Sequence, residues 1–420
     1  MTEVIADQSA SAWRSPRFRR VWAAGAVAGL GSEIGELAVP VLALVTLGAS
    51  ALQLSLVRTA LFLPYLLLTL WLGVVVDRRR RRPLMVAADL GRGALLLSVG
   101  ALSVLGRLSV PMLIIAAALL GSLTVLYMLA EFSFVPLVVE QNQLIDANAR
   151  VTATQSVLGV AGAGAGGLLV QALSAPVALL ANAVGYLASG VLLARVRVAE
   201  PAPDPARRRS AVREARDGVS VLVRHRVLRA LMAEATLWNL GNEIFMIALS
   251  VIVLRTFEAG PASLGLLLMA GGVGAFGGSL LSRALTRRFG YGRSLVTAML
   301  VGNSAPLVAV VLSTTTETGA VLVLATGFLL SGIGIGIANS QAVSLRQLAV
   351  APELRGRANA GYRLVSWGAL SLGSLAGGVV VTTVGAWTAA AAGAGAMALA
   401  TLPVALSPVR RMRTIEEVTP

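Results

Sequence analysis

Long apolar stretches alternate with short polar ones from end to end of this 420-residue chain. Twelve of them match a helix that crosses the membrane, at 20–47, 53–76, 84–105, 110–138, 150–173, 176–197, 229–254, 262–282, 294–313, 319–345, 358–383 and 386–407. At 1.5 Å per residue each can traverse a hydrocarbon core about 30 Å thick. A polar interval, 198–228, separates the sixth from the seventh; it opens on Pro201, Pro203 and Pro205 and continues as a basic amphipathic helix from about Ser210 to Arg226. The pattern predicts an all-α membrane protein: a six-helix half at 1–197, a linker at 198–228 and a six-helix half at 229–420.

The halves repeat. Leu30-Gly31-Ser32-Glu33-Ile34 returns as Leu240-Gly241-Asn242-Glu243-Ile244, 210 residues later. Ala147-Asn148-Ala149 returns as Ala358-Asn359-Ala360, and Ala165-Gly166-Gly167 as Ala376-Gly377-Gly378, both at 211. Each copy falls in the equivalent span. An even number of spans separates the copies, so the expected architecture is two parallel-repeat six-helix bundles related by an axis along the membrane normal.

Composition adds three constraints. The chain is 56% hydrophobic and 13% charged, far too little charge to cover a water-soluble molecule of this size. There is no cysteine and one histidine, His225, which excludes disulfides, thiolate metal sites and a cysteine nucleophile. The net charge of +15 is carried by arginine alone. If the spans alternate, every loop arginine except Arg107 and Arg255 falls on one side, which places both termini in the cytoplasm of a bacterial inner membrane. Anionic lipid headgroups, not nucleic acid, are then the expected partners of this basicity. The polar start, Met1 to Pro16, and the length of the first apolar run do not read as a cleaved signal peptide.

The loop between spans 2 and 3 reads Gly73-Val-Val-Val-Asp77-Arg78-Arg79-Arg80-Arg81-Arg82. It resembles the signature of the major facilitator superfamily, with Arg80 where a second glycine is usual. A weaker copy, Gly278-Ser-Leu-Leu-Ser282-Arg283, occupies the equivalent loop. Phe134-Val135-Pro136-Leu137-Val138 and Pro352-Glu353-Leu354-Arg355-Gly356-Arg357-Ala358-Asn359-Ala360 resemble the branch of enterobactin exporters and macrolide-efflux proteins. The resemblance runs from about Phe18 to Pro408 and implies the major facilitator fold. Span 5 reads Gly162-Ala163-Gly164-Ala165-Gly166-Gly167, with alanine where the exporters carry proline, and span 4 lacks the arginine of many drug–proton antiporters.

A charge inside a span costs roughly 2.5–3.5 kcal/mol at the bilayer centre, so each calls for a reason. Glu33 and Glu36 share a face of span 1, and Glu243 has the equivalent depth in span 7 beside Asn242 and Trp238. The resemblance implies that spans 1 and 7 line the central cavity, so Glu33, Glu36, Trp238, Asn242 and Glu243 are candidates for the substrate or proton path. Carboxyls there suit a proton carrier or a cation-binding group; the alternative is a structural carboxyl hydrogen-bonded to Ser32 or Asn242. A second set, Asp89, Arg92, Glu131 and Arg363, lies nearer the basic side. With Gly73, Asp77 and Arg78 of the signature loop it forms a candidate cytoplasmic gate of alternating ion pairs, or else fixes helix packing. Arg58, near the end of span 2, reads as a snorkelling side chain, and Arg79 to Arg82 as topology determinants.

No phosphate-binding Gly-x-x-x-x-Gly-Lys-Ser/Thr loop, His-Glu-x-x-His motif or soluble domain is present. The expectation is therefore no cofactor, no metal and no enzyme activity, and transport that is secondary, not ATP-driven. The expected protein is a monomeric exporter of small hydrophobic or amphipathic molecules, driven by proton antiport. Uptake, lipid translocation and, from another class, a ligand-binding membrane sensor are the alternatives.

Overall fold

The computed structural model describes residues 11–140, 143–198, 200, 211–313, 317–351 and 354–418. The three prolines that open the linker, and Pro352 and Glu353 of the branch motif, lie outside the described residues. The helices are α1 (Pro16–Val41), α2 (Ala51–Leu67), α3 (Thr69–Arg78), α4 (Arg81–Val104), α5 (Val110–Phe134), α6 (Leu144–Leu173), α7 (Ala175–Ala194) and α8 (Ala211–Arg224). They continue as α9 (Arg226–Val251), α10 (Gly260–Phe289), α11 (Tyr291–Leu312), α12 (Glu317–Leu348), α13 (Arg355–Val384), α14 (Ala386–Leu399) and α15 (Leu402–Ala405). Eleven are long and apolar enough to span a membrane, with α1 and α9 each extended by a π-helical turn, and α2 with α3 makes a twelfth span bent by 55°.

Local chemistry sets the helix starts. Ser15 accepts the N–H of Phe18 ahead of Pro16, Ser50 and Gln53 form a capping box on α2, and His225 accepts the N–H of Leu228 on α9. Several helices outrun their apolar stretch: α6 starts at Leu144, not 150, and α10 continues to Phe289, past 282. Hydropathy marks only the part that lies in lipid, while the helix carries on into water. The break in the second span was not predicted. Pro64 removes a backbone donor, and Thr69 Oγ1 donates back to the Tyr65 carbonyl at 2.5 Å, both of which bend a helix.

The repeat is reproduced in the packing. A Cβ on Gly166 would come within 3.2 Å of Ile34 Cα, and one on Gly377 within 3.0 Å of Ile244 Cα, the repeat equivalent. Their neighbours do the same job across the molecule: Gly167 abuts Gly265 of α10, and Gly378 abuts Ser55 and Leu52 of α2. Each Ala-Gly-Gly element thus brings one helix close to its own bundle and to the other bundle at once. The π-helical turns, Leu42–Thr46 and Ile252–Thr256, fall at the same repeat offset of 210.

The described segments before α1 and after α15, which meet the starts of α6 and α11, lie with α8 on one face, the terminal face; the π-helical turns mark the far face. Toward the far face one hydrophobic core runs through both bundles, joining Leu37, Leu54 and Ala178 to Phe245, Leu267 and Ala390. Toward the terminal face it splits. One core, around Phe18, Met85 and Phe134, belongs to the first bundle, and another, around Leu228, Leu295 and Leu345, to the second.

Candidate functional site

Arg58 stands where α1, α2, α9 and α13 converge. It is 6% exposed, so it does not snorkel as its place in the sequence led us to expect. Its Nε donates to Glu243 Oε2 and its Nη2 to Glu243 Oε1, both at 2.8 Å, a two-point ion pair across the bundles. Both Nη groups also reach Glu36 Oε1 at 3.1 Å, and Ser374 Oγ donates to Glu243 Oε2 at 2.8 Å. Glu243 is 2% exposed, whereas the Glu36 side chain is 47% exposed. Gly373 and Gly377 make the crossing of α13 over α9 close enough for Ser374 to reach the pair.

Glu36 and Glu243 are therefore brought together by a cation the sequence reading had assigned elsewhere. Glu33 is half-buried against Gly162 and, like Asn242, takes no part in these hydrogen bonds. Ser32 bonds the Tyr186 hydroxyl at 2.8 Å and not a carboxylate. Further contacts join the bundles on the same side of the molecule. Arg255 Nη2 donates to the Leu44 and Ala49 carbonyls at 3.0 and 2.5 Å, beside the π-helical turn that leaves carbonyls without in-helix donors. Gln171 accepts the N–H of Ala262, and Tyr65 packs on Trp367 with ring centroids 5.1 Å apart.

The second candidate set divides between two cavities. Asp89 and Arg92 form a buried ion pair; Ser189 donates to Asp89 at 2.6 Å, and Arg92 stacks on Tyr127 and Tyr186. Arg92, Glu131, Tyr127 and Tyr186 line a cavity of about 160 Å³ in the first bundle. Gly73, Asp77 and Arg78 are not in it: Asp77 and Arg78 sit at the exposed end of α3. The signature loop is fastened elsewhere. The N–H groups of Arg81 and Arg82 donate to the Glu200 carboxylate at 2.5 and 3.0 Å, an anion at the start of α4. The Arg82 side chain reaches the Leu193 and Ala194 carbonyls at the end of α7, a tie beyond the topological role expected of it.

In the second bundle Trp238, Glu234, Asn303, Arg346, Tyr362 and Trp367 line a cavity of about 340 Å³. Arg363 stacks on Trp367 beside it. Glu234 and Arg346 are not among the sequence-based candidates: Glu234 lies inside the span 229–254, and Arg346 directly follows the span 319–345, where it reads as a loop arginine. The signal that marked Glu33, a charge within an apolar run, would have marked Glu234 as well. No group of three or more metal-ligating side chains stands together among the described residues.

Three comparisons bear on this arrangement. The family model described as transmembrane secretion effector matches residues 8–419. Macrolide efflux protein A of Streptococcus pyogenes is 26% identical over 227 residues, 53% of this chain and 55% of the relative, so the match spans about half that relative's length. Among solved structures, a nucleoside transporter superposes with a TM-score of 0.72 at 12% identity, covering 93% of this chain and 99% of that one. A bacterial homologue of the iron transporter ferroportin in an inward-facing state gives 0.72 at 17%, over 93% and 98%. A D-xylose–proton symporter gives 0.68 at 14%, over 92% and 96%. At these identities the likeness is one of fold.

Proposed function

The chain belongs to the transmembrane secretion effector family of major facilitator transporters, and on that premise we propose that it exports small hydrophobic or amphipathic molecules by proton antiport. The observation that carries the reading is the divided core, continuous between the bundles toward the far face and separate toward the terminal face. That is the asymmetry alternating access requires. With both termini in the cytoplasm, as the arginine distribution implies, the state described is closed to the outside. The half of macrolide efflux protein A that aligns with this chain supports export of an amphipathic substrate.

Arg58 supplies a route for coupling. Opening the far face must part Arg58 from Glu243, since they sit on different bundles. Arg58 keeps Glu36, which is on its own bundle, so its charge remains partnered. Glu243 keeps only Ser374, and an unpaired buried carboxylate is costly unless a proton neutralises it. A proton taken from the outer side on opening, and released inward when the pair reforms, travels opposite to an exported molecule. The units of motion are 1–197 and 229–420; of the linker 198–228, Glu200 is tied to the first and α8 packs on the second, where a Cβ on Gly218 would lie 2.1 Å from the Arg357 carbonyl. Asp77, Arg78, Asp89, Arg92, Glu131 and Arg363 close the terminal face in the opposite state.

The test is proton-driven uptake of a panel of dyes and a macrolide into inverted membrane vesicles. We expect accumulation that an uncoupler abolishes and that Glu243→Gln and Arg58→Gln lose with protein level intact. Wild-type vesicles that move nothing under the gradient sink the proposal, as do variants indistinguishable from wild type. Accumulation by intact cells instead would replace export with uptake.

A further inference from the structure

The cavity of about 340 Å³ in the second bundle falls within the roughly 300–1,000 Å³ of small-molecule sites. Its walls are aromatic: Trp238 from α9, Tyr362 and Trp367 from α13. Two N–H donors on side chains that line it, Trp238 Nε1 and Arg346 Nη1, are buried and bonded to nothing among the described residues. Buried donors are almost always paired, so two on side chains that line one cavity leave hydrogen bonds for a ligand to complete. The Arg346 guanidinium carbon lies 3.8 Å from the Tyr362 ring centroid, a stacking contact that holds the group at the aromatic wall.

Three of the other polar side chains on the wall are already engaged. Glu234, the one carboxylate on the cavity wall, accepts from Asn303 Nδ2 at 3.3 Å, and the same amide reaches Thr401 Oγ1 at 3.1 Å. Asn239 Nδ2 donates to the Ser366 carbonyl at 2.6 Å. The charges on the wall are Glu234 on α9 and Arg346 on α12, while Arg363 on α13, behind Trp367, is offset by Glu131 of the first bundle. What the wall has in excess is unpaired N–H donors.

We infer that this cavity binds a flat aromatic molecule presenting acceptor oxygens, a carboxylate, phenolate or conjugated carbonyl, to Trp238 and Arg346. It does not select hydrophobic cations. The assignment rests on the transporter reading only for its purpose, because the site can be assayed by binding alone.

Fluorescein and rhodamine 123 share a xanthene ring system and differ in charge, so together they test the class. Full-length protein in nanodiscs is titrated with each and followed by fluorescence anisotropy. We expect saturable fluorescein binding, tighter than that of rhodamine 123. Trp238→Phe, which keeps a ring and removes the N–H, weakens it about fivefold, the worth of one net hydrogen bond. Arg346→Gln weakens it by roughly tenfold or more, as expected for a charged donor, and Arg346→Lys recovers part of the loss. Absence of saturable fluorescein binding, rhodamine 123 bound as tightly or more so, or fluorescein binding unchanged in Trp238→Phe and Arg346→Gln overturns the inference. Fluorescein bound in the expected pattern by protein that moves nothing under a proton gradient keeps the site and removes the transporter reading. Gradient-driven movement of rhodamine 123 without fluorescein binding does the reverse.

Discussion

Removing Arg58 and removing Glu243 are not equivalent operations. Without Arg58, Glu243 is a buried carboxylate whose remaining donor is Ser374; without Glu243, Arg58 is still held by Glu36. We expect Arg58→Met to cost about 3–5 kcal/mol, as breaking one side of a buried pair does. Glu243→Gln should cost much less. The double variant Arg58→Met/Glu243→Met should recover most of the stability yet lose gradient-driven transport. Thermal unfolding of detergent-purified protein reads the first part and vesicle uptake the second. A double variant no more stable than Arg58→Met would show that the two side chains do not act as a pair. The depth rule that singled out Glu36 and Glu243 marks where a charge is costly, not which partner it meets. The same rule misjudged Arg58, since a position near a span end has water within reach only if no neighbouring helix covers it.

Helices approach one another here through missing side chains. Gly167 and Gly265 meet backbone to backbone, where a Cβ on Gly167 would stand 2.9 Å from Gly265 Cα. Gly167→Leu should therefore hold α6 away from α10 and shift the protein away from the state closed on the far face. The chain has no cysteine, so a single one placed at the buried Leu44 reports this without background. Labelling by a membrane-impermeant maleimide from the far side should rise several-fold in Gly167→Leu; unchanged labelling would mean that this contact does not control closure. A different element effect is expected at the start of α4, where Glu200 accepts two N–H groups. Glu200→Ala should lower stability by about 1 kcal/mol, in the range of lost helix caps, and leave substrate binding intact. A thermal midpoint equal to that of wild type would argue that the cap contributes nothing.

The bundles meet unequally. Their contacts gather in the far half, where Thr59 Oγ1 reaches the Ser371 carbonyl at 3.4 Å, close to the Arg58 pair. Cysteines at Thr59 and Ser371 should be joined by a short bifunctional thiol reagent. Joined, they should abolish vesicle uptake, and reductant should restore it. If the linked protein still transports, the far face need not open and rigid alternation of the bundles is wrong. The linker helix α8 adds a second restraint, packed on α13 and reaching α3 on the terminal face.

Spans, repeat and charge asymmetry were decided by the sequence itself, because crossing lipid imposes a length and an apolar character on each stretch independently of its neighbours. The duplicated Gly-x-Glu-Ile and Ala-Gly-Gly elements carried the two-bundle architecture for the same reason: a repeat is a local pattern read twice. What Arg58 does could not be read that way, because Glu36 and Glu243 lie 22 and 185 residues from it. Whether a charge is solvated or paired is set by which helices converge on it. Only packing decided that Glu234 and Arg346 share a cavity with Trp238 while Asp77 and Arg78 stay at the exposed end of α3. Only packing decided, too, that one core joins the bundles on the far face and two cores part them on the other. Hydropathy tells each residue how deep it lies; direction around the helix axis, and so the partner it meets, exists only once the bundles are assembled.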